Sequence, residues 1–437
     1  MQILEQGRRK RPDNSRNKEL WPTETAACQF QSILNSDQLP FQVSEMQALF
    51  QKQIGKQTGV AKVALKLGAR RDSISILAEV NRMTALPAGQ ARPIGRSKRC
   101  MRLERTTDGA SGFAKVWGLP SNNATKPEQL TGDQVFLRIT ASGMCFTDVH
   151  YKHGENALGH EGVGVVEETG PGVTYLKKGD RVGWGYQTDN CGHCLDCLQG
   201  QDIFCKERVI YGDADAVNRG SFASHALVRE AFLHPIPDDM SDEDAAPLQC
   251  AGATVFTTLH DVNSNDTVGI MGVGGLGHIA IQFAAKLGCR VVVLSGSDRK
   301  KDDAAKLGAH RFVAMNGDID QQLGDWKISR LLVTTSAQPS WDKILPMLST
   351  RARIYPLSVS SDNLEIPYMP LIMSGITIHG SLVASRAIHR KMLEFAALHK
   401  IKPVIERFEM SEEGINKAFE RLEAGKVQYR VVLLPTQ

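Results

Sequence analysis

No apolar run in this chain of 437 residues approaches the ~18 residues that a membrane-spanning helix needs, and no hydrophobic segment of the signal-peptide kind follows Met1. A membrane partner is therefore not expected. Charge of one sign is scarce as well: the formal net charge of +4 is too mild to call for a nucleic-acid partner. Cysteine is thin outside one region, since only Cys28, Cys100, Cys250 and Cys289 of the nine lie beyond residues 145–205. In a chain without a secretion signal, cysteines gathered this tightly point to metal and not to disulfides. What is present is ordinary: 42% hydrophobic and 23% charged residues, and a length that suits two domains with an extension. A soluble, cytoplasmic protein is the expectation.

Residues 1–95 differ from the rest. They open with the basic run Gly7-Arg-Arg-Lys-Arg-Pro12, continue rich in Asn, Gln and Ser, and show some helical spacing of apolar residues between Val43 and Met83. Pro87 and Pro93, with nearby glycines, mark a linker. This stretch is read as an N-terminal extension without an assigned role, disordered or partly helical. From Gln134 the pattern changes to short strands with glycine turns: Gln134–Thr140, Gly162–Glu168, and the run through Gly220–His225. After Ser241-Asp-Glu-Asp244, a helix N-terminus with carboxylates at the positive dipole end, the pattern changes again. Asp266–Met271 reads as a buried strand, His278–Leu287 as a helix and Arg290–Leu294 as the next strand. Further strands at Leu331–Thr334 and Ala352–Tyr355 extend this βαβ unit into a doubly wound parallel sheet, so the fold class is α/β.

Between the first strand and the helix stands Gly272-Val273-Gly274-Gly275-Leu276-Gly277. In that context the first glycine permits the turn, the second lets backbone approach a pyrophosphate, and the third packs helix on strand. The end of the second strand carries Ser295 where an NAD site would place a carboxylate, with Ser297, Arg299 and Lys300 close behind. Hydroxyls and cations suit a 2′-phosphate, so NADP(H) is the expected cofactor.

Metal chemistry is read at two places. Cys191, Cys194, Cys197 and Cys205 have the spacing of a closed four-thiolate zinc site, a structural arrangement. Cys145 and His160 lie in glycine-rich loops at strand ends, and Cys250, just ahead of the nucleotide unit, is the candidate for a third ligand. Two thiolates and one imidazole leave a fourth position open, which is the make-up of a catalytic zinc site. Two zinc ions per chain are thus expected. Asp148 and Glu161 sit beside ligands and could orient them, while Thr147 and His150 could pass a proton to solvent.

Taken together, Gly143-Met-Cys-Phe-Thr-Asp148, Gly159-His-Glu-Gly162, the four-cysteine lobe, Ala246-Pro-Leu-Gln-Cys-Ala-Gly-Ala-Thr254 and the glycine loop resemble the zinc-dependent medium-chain alcohol dehydrogenases, in particular their NADP-preferring cinnamyl-alcohol-type branch and its fungal members. The resemblance runs from about residue 100 to the C-terminus. It implies a GroES-like β-rich catalytic domain over 96–240, rejoined by 386–437, and a Rossmann domain over 241–385. By position it makes Cys145, His160 and Cys250 the catalytic-zinc ligands and the other four cysteines the structural set. It makes Thr147 and His150 the proton relay, Thr254 the neighbour of the nicotinamide, and Arg430 a cofactor-phosphate contact. The implied reaction is hydride transfer between NADP(H) and a primary alcohol or aldehyde, in a homodimer or homotetramer. Two departures stand out: the segment Tyr151–Leu158 is short for the family, and its first β-hairpin is hard to find between Arg102 and Pro120. A zinc-independent C=C reductase and a non-catalytic zinc- or nucleotide-binding protein are the competing readings.

Overall fold

The computed structural model describes residues 113–115, 123–154, 156–216, 219–360 and 362–436, so the extension read over 1–95 lies outside the described residues. The chain opens with a short antiparallel ladder of β1 (Phe113–Lys115) and β2 (Asn123–Thr125), a pairing with no clear sequence signature. A β-rich layer follows, with β3 (Gln134–Met144), β4 (Gly162–Thr169) and β5 (Arg181–Trp184) as successive antiparallel neighbours. β6 (Gln187–Asp189) and β7 (Val209–Ile210) form a small ladder that brackets the cysteine cluster. β8 (His225–Arg229) pairs with β3, and β9 (His234–Pro235) with β5. Along β3 the side chains of Val135, Leu137 and Ile139 are fully buried while Arg138 is exposed, the period-two pattern of a half-covered sheet.

The parallel sheet is built from β10 (Thr267–Met271), β11 (Arg290–Ser295), β12 (Arg311–Ala314), β13 (Ile328–Val333), β14 (Leu348–Pro356) and β15 (Thr377–Ile378). Their spatial order is β12-β11-β10-β13-β14-β15, the doubly wound arrangement whose crevice lies where the order reverses, between β10 and β13. The runs Val291–Leu294 and Leu331–Leu332 are wholly buried, as strands covered on both faces must be.

The chain then returns to the first sheet. β16 (Ile405–Glu409) pairs in parallel with β17 (Arg430–Leu434), and β17 runs antiparallel to β3, opposing Val432 to Gly143. The C-terminal strand therefore completes the β-rich layer and delivers Arg430 to the end of β3. One core cluster is continuous from Val268, Ile270 and Val293 of the parallel sheet to Val163 and Val432 of the other. No helix among the described residues is long and apolar enough to cross a membrane.

Candidate active site at the seam

The pairing of β3 with β4 explains how Cys145 and His160 meet. Ser142 opposes Gly162, so the residue three beyond the end of one pair faces the residue two before the other. Gly143 and Gly159 make the approach possible. A Cβ on Gly143 would lie 1.9 Å from Glu161 Oε2, and Gly159, at φ +93°, would place one 2.4 Å from Ser221 Oγ. Cys145 caps the short helix Phe146–Tyr151, and its Sγ accepts from the backbone N–H of Thr147 at 3.4 Å. Asp148 accepts the backbone N–H of Cys145 through Oδ2 at 2.9 Å and faces His160 Nδ1 through Oδ1 at 3.0 Å. With Asp148 fully buried, that bond fixes the imidazole proton on Nδ1 and turns the lone pair of Nε2 toward Cys145 Sγ, 3.3 Å away. Tyr211 stacks on the other side of the ring at 4.7 Å and accepts the Gly159 N–H through its hydroxyl.

Cys250 arrives from the other direction. Ser241 caps the helix Asp242–Pro247, which widens into a π-helical turn over Leu248–Gly252, and Cys250 sits within that turn. Such turns concentrate at functional sites because they re-aim a side chain. Ligand atoms of Cys145, His160, Glu161 and Cys250 all lie within 4.8 Å of one another. The Cys250 thiol hydrogen bond, with His160 opposite, holds Cys145 well below the usual thiol range despite its burial. Glu161 is pushed above the ordinary carboxylate range by burial, against the pull of the adjacent Arg430 guanidinium. Its Oε1 pairs with Arg430 Nη2, while buried Oε2 finds no hydrogen-bond partner among the described residues. Two thiols, an imidazole with its lone pair inward and an undonated carboxylate oxygen form a soft-to-borderline donor set, and it fits zinc.

In the cysteine lobe the Sγ atoms of Cys191, Cys194, Cys197 and Cys205 also cluster within 4.8 Å, and none is in a disulfide. The Cys191–Cys197 and Cys191–Cys205 sulfur separations are 4.0 and 3.6 Å. A tetrahedron of Zn–S bonds has edges of about 3.8 Å, so this set also fits zinc, with no position left open. Backbone donation from His193 helps to pull Cys191 down to about 6, toward the thiolate that such a site needs.

The glycine loop follows β10. Gly272 takes φ +99°, and a Cβ on Gly277 would fall 1.9 Å from the carbonyl oxygen of Gly272. A Cβ on Gly274 would meet nothing within 4 Å, so open space lies before the backbone, as a pyrophosphate requires. Gly275 lies against Arg430, whose Nε is buried without a partner, while Leu276 precedes the helix Gly277–Lys286. His278 ties the loop down: Nδ1 donates to Gly274 O at 2.9 Å and Nε2 accepts Val404 N–H at 3.1 Å. Ser295 ends β11 half-buried, Ser297 accepts from Arg299 Nε, and the exposed Arg299 remains at the rim. Lys300 instead folds back to donate to Val273 O and lies over the Tyr429 ring. Thr254 is buried in the helix Ala253–Thr257.

Thr147 and His150 stand three apart on one face of their helix, the first half-buried and the second exposed. The short segment after them is packed: Tyr151 meets Tyr211 edge-on at 5.1 Å, and Asn156, Ala157 and Leu158 are buried. Sequence reading missed Tyr211, which no motif marks. It also gave no role to His278, although that residue directly follows the glycine loop.

Residues 131–238 match the alcohol dehydrogenase GroES-like domain family and residues 275–398 the zinc-binding dehydrogenase family. An alcohol dehydrogenase of Geobacillus stearothermophilus is 34% identical over 323 residues, covering 70% of this chain and 94% of that protein. Cinnamyl alcohol dehydrogenase 7 of Arabidopsis thaliana is 32% identical over 319 residues, covering 69% of this chain and 89% of its own length. Among solved structures, a cinnamyl alcohol dehydrogenase of Sorghum bicolor superposes with a TM-score of 0.64 at 32% identity, covering 74% of this chain and 96% of the other. The CAD of Helicobacter pylori complexed with NADP(H) gives the same TM-score at 25% identity and the same coverage.

Proposed function

This chain belongs to the zinc-type medium-chain alcohol dehydrogenases, and from that premise we propose that it interconverts a primary alcohol and its aldehyde with NADP(H). Cys145, His160 and Cys250 hold one zinc at the seam, and Cys191, Cys194, Cys197 and Cys205 hold another in the lobe. A zinc held there would supply Lewis-acid polarisation of the substrate oxygen, and NADP(H) would supply or accept the hydride. The chain's own residues do the rest. Asp148 keeps the His160 proton on Nδ1, so Nε2 stays available as a ligand. The Thr147 hydroxyl takes or returns the proton of the substrate hydroxyl, and His150, one turn on and exposed, exchanges it with solvent. Thr254 flanks the nicotinamide, and the backbone of Gly272–Gly277 with Arg430 receives the pyrophosphate. Ser295, Ser297 and Arg299 favour a 2′-phosphate because no carboxylate stands at the end of β11. Lys300 would join them on leaving Val273 O. A second copy of the chain packs on the exposed edge strand β15.

One observation carries this reading: donors from two separate parts of the chain converge within 4.8 Å around an imidazole whose proton a buried carboxylate has already placed. The test is metal content and turnover of the whole protein. Two zinc per chain, with NADPH oxidised faster than NADH across an aldehyde panel, is the expected result. Cys250→Ser should abolish turnover and leave NADPH binding largely intact. Unchanged turnover in that variant would sink the assignment, and activity toward C=C bonds without zinc would replace it.

A further inference from the structure

The residue just before Cys250 is held more tightly than its neighbours require. Gln249 is fully buried, and its side-chain Nε2 donates to Ala245 O at 3.0 Å. In a regular helix that carbonyl receives the backbone N–H four residues on, which is Gln249's own. Here the chain widens into the π-helical turn, and the carbonyl takes the backbone N–H of Leu248 together with the side-chain amide of Gln249. The other end of the amide, Oε1, lies 3.0 Å from His389 Nε2. An amide nitrogen only donates and an amide oxygen only accepts, so the Ala245 contact orients the amide and puts the His389 proton on Nε2. Burial keeps that ring neutral, its pKa pushed down to about 3.

His389 is itself fixed. It stacks on His234 with centroids 4.0 Å apart and planes 19° from parallel. It lies in the first turn of the helix Arg386–Leu398, whose first residue donates from backbone N and from Nε to Asp202, 2% exposed, in the cysteine lobe. Gln249 has no room to swing. Gly183 packs against the amide, since a Cβ there would lie 2.5 Å from its carbon and nitrogen, and Gly185 packs against the backbone, since a Cβ there would lie 2.5 Å from the main-chain oxygen of Gln249.

We propose that Gln249, clamped between His389 and Ala245, is the positioning residue for Cys250: it sets where that thiol stands relative to Cys145 and His160, and so how firmly the seam holds its metal. This rests on the metal reading above. Gln249 adds to the backbone bonds of the turn a side-chain anchor on the residue next to Cys250. The clamp reaches back to the lobe through Arg386 and Asp202, giving the thiol a rigid reference outside its own turn.

The experiment follows zinc release from the full-length holoenzyme to a chelator, beside thermal melting and NADPH binding. Gln249→Met keeps the volume and removes both hydrogen bonds, whereas His389→Phe keeps the stack and removes only the donor. In each variant one of the two zinc ions should leave at least about tenfold faster, the effect of losing a ligand-orienting partner, while the other leaves at the wild-type rate. A merely structural role would move the melting temperature without separating the two release phases. Two zinc in the wild type with unchanged release from a folded Gln249→Met protein would overturn the clamp and leave the metal reading standing. One zinc in the wild type would overturn the metal reading, and the clamp with it. Should Gln249→Met not fold, His389→Phe decides by the same two outcomes.

Discussion

Arg430, on the C-terminal strand, and Glu161, beside the imidazole of His160, form an ion pair with 6% and 0% of the two side chains exposed. The pair joins the glycine loop to the ligand cluster, since the same guanidinium lies against Gly275. A buried pair adds little net stability, yet removing one partner leaves the other charge stranded at a cost of about 3–5 kcal/mol. Arg430→Met should therefore lose about that much in denaturant unfolding. Adding Glu161→Gln to it should recover a substantial part, because no charge is then left unpaired. If the two losses simply add, the residues are not coupled in the way the geometry shows.

The three glycines of the loop do different work, and alanine separates them. At Gly277 a methyl group would stand 1.9 Å from a backbone oxygen, so Gly277→Ala must push the helix from the strand and should lower both stability and NADPH affinity. At Gly274 a methyl group meets no protein atom within 4 Å, so Gly274→Ala should melt within about 0.5 kcal/mol of wild type. Its NADPH affinity should nevertheless fall by tenfold or more, because the methyl occupies the space the pyrophosphate needs. Fluorescence titration beside thermal melts distinguishes the cases. Undiminished NADPH binding by Gly274→Ala would place the cofactor elsewhere.

How much of this was legible beforehand follows from what local sequence can encode. The glycine loop was readable because strand, turn and helix are contiguous there, and the four cysteines because the lobe closes within fifteen residues. Cys145 and His160 could be paired from their ligand chemistry and their glycine-rich loops at strand ends; the β3–β4 register that brings them together is a long-range fact. Nothing near Tyr211 announces that it stacks on His160, since it follows a two-residue strand that carries no periodicity. Gln249 received no role within the Ala246–Thr254 motif, because its meaning depends on His389, 140 residues away. Lys300, grouped with the phosphate-binding residues by proximity in sequence, donates to Val273 O, which its long stem reaches. The pairing of β1 with β2 was missed because three-residue strands carry almost no periodicity.

Three of the four buried histidines, all but His160, make acid stability a sharp observable. Burial pushes His278 and His389 down to about 3, and burial beside His389 and nearby arginines holds His234 well below the usual imidazole range. The folded protein keeps these rings neutral where the unfolded chain, with ordinary values near 6.5, takes up protons. Stability is therefore fully present above about pH 6.5 and falls as pH drops toward 3. At pH 5 His278 and His389 each contribute up to about 2 kcal/mol of loss, from 1.5 units at 1.36 kcal/mol each. Urea midpoints should fall steeply between pH 7 and 5, and His389→Phe should flatten part of that slope. Parallel slopes in the two proteins would mean that His389 titrates normally in the folded state.

The last prediction concerns the open end of the parallel sheet. β15 pairs with β14 on one side, and among the described residues no strand pairs with its other side, with Ile378 exposed. Beside it the helix Tyr368–Ser374 shows Tyr368, Ile372 and Met373 to solvent at 81%, 67% and 76% exposure. An uncovered edge next to an apolar helix invites strand pairing, and proteins normally protect such edges. A second copy protects this one most simply. A two-fold axis would set the same strand against itself in antiparallel fashion, and the two apolar helices would then meet across it. Ile372→Lys combined with Met373→Lys places two ammonium groups from each chain in that contact. Sedimentation velocity should show wild type at a multiple of the chain mass and the double variant at half that size or less, with the seam site still able to bind zinc. A wild-type monomer, or a double variant of unchanged size, would mean that another surface joins the chains or that none does.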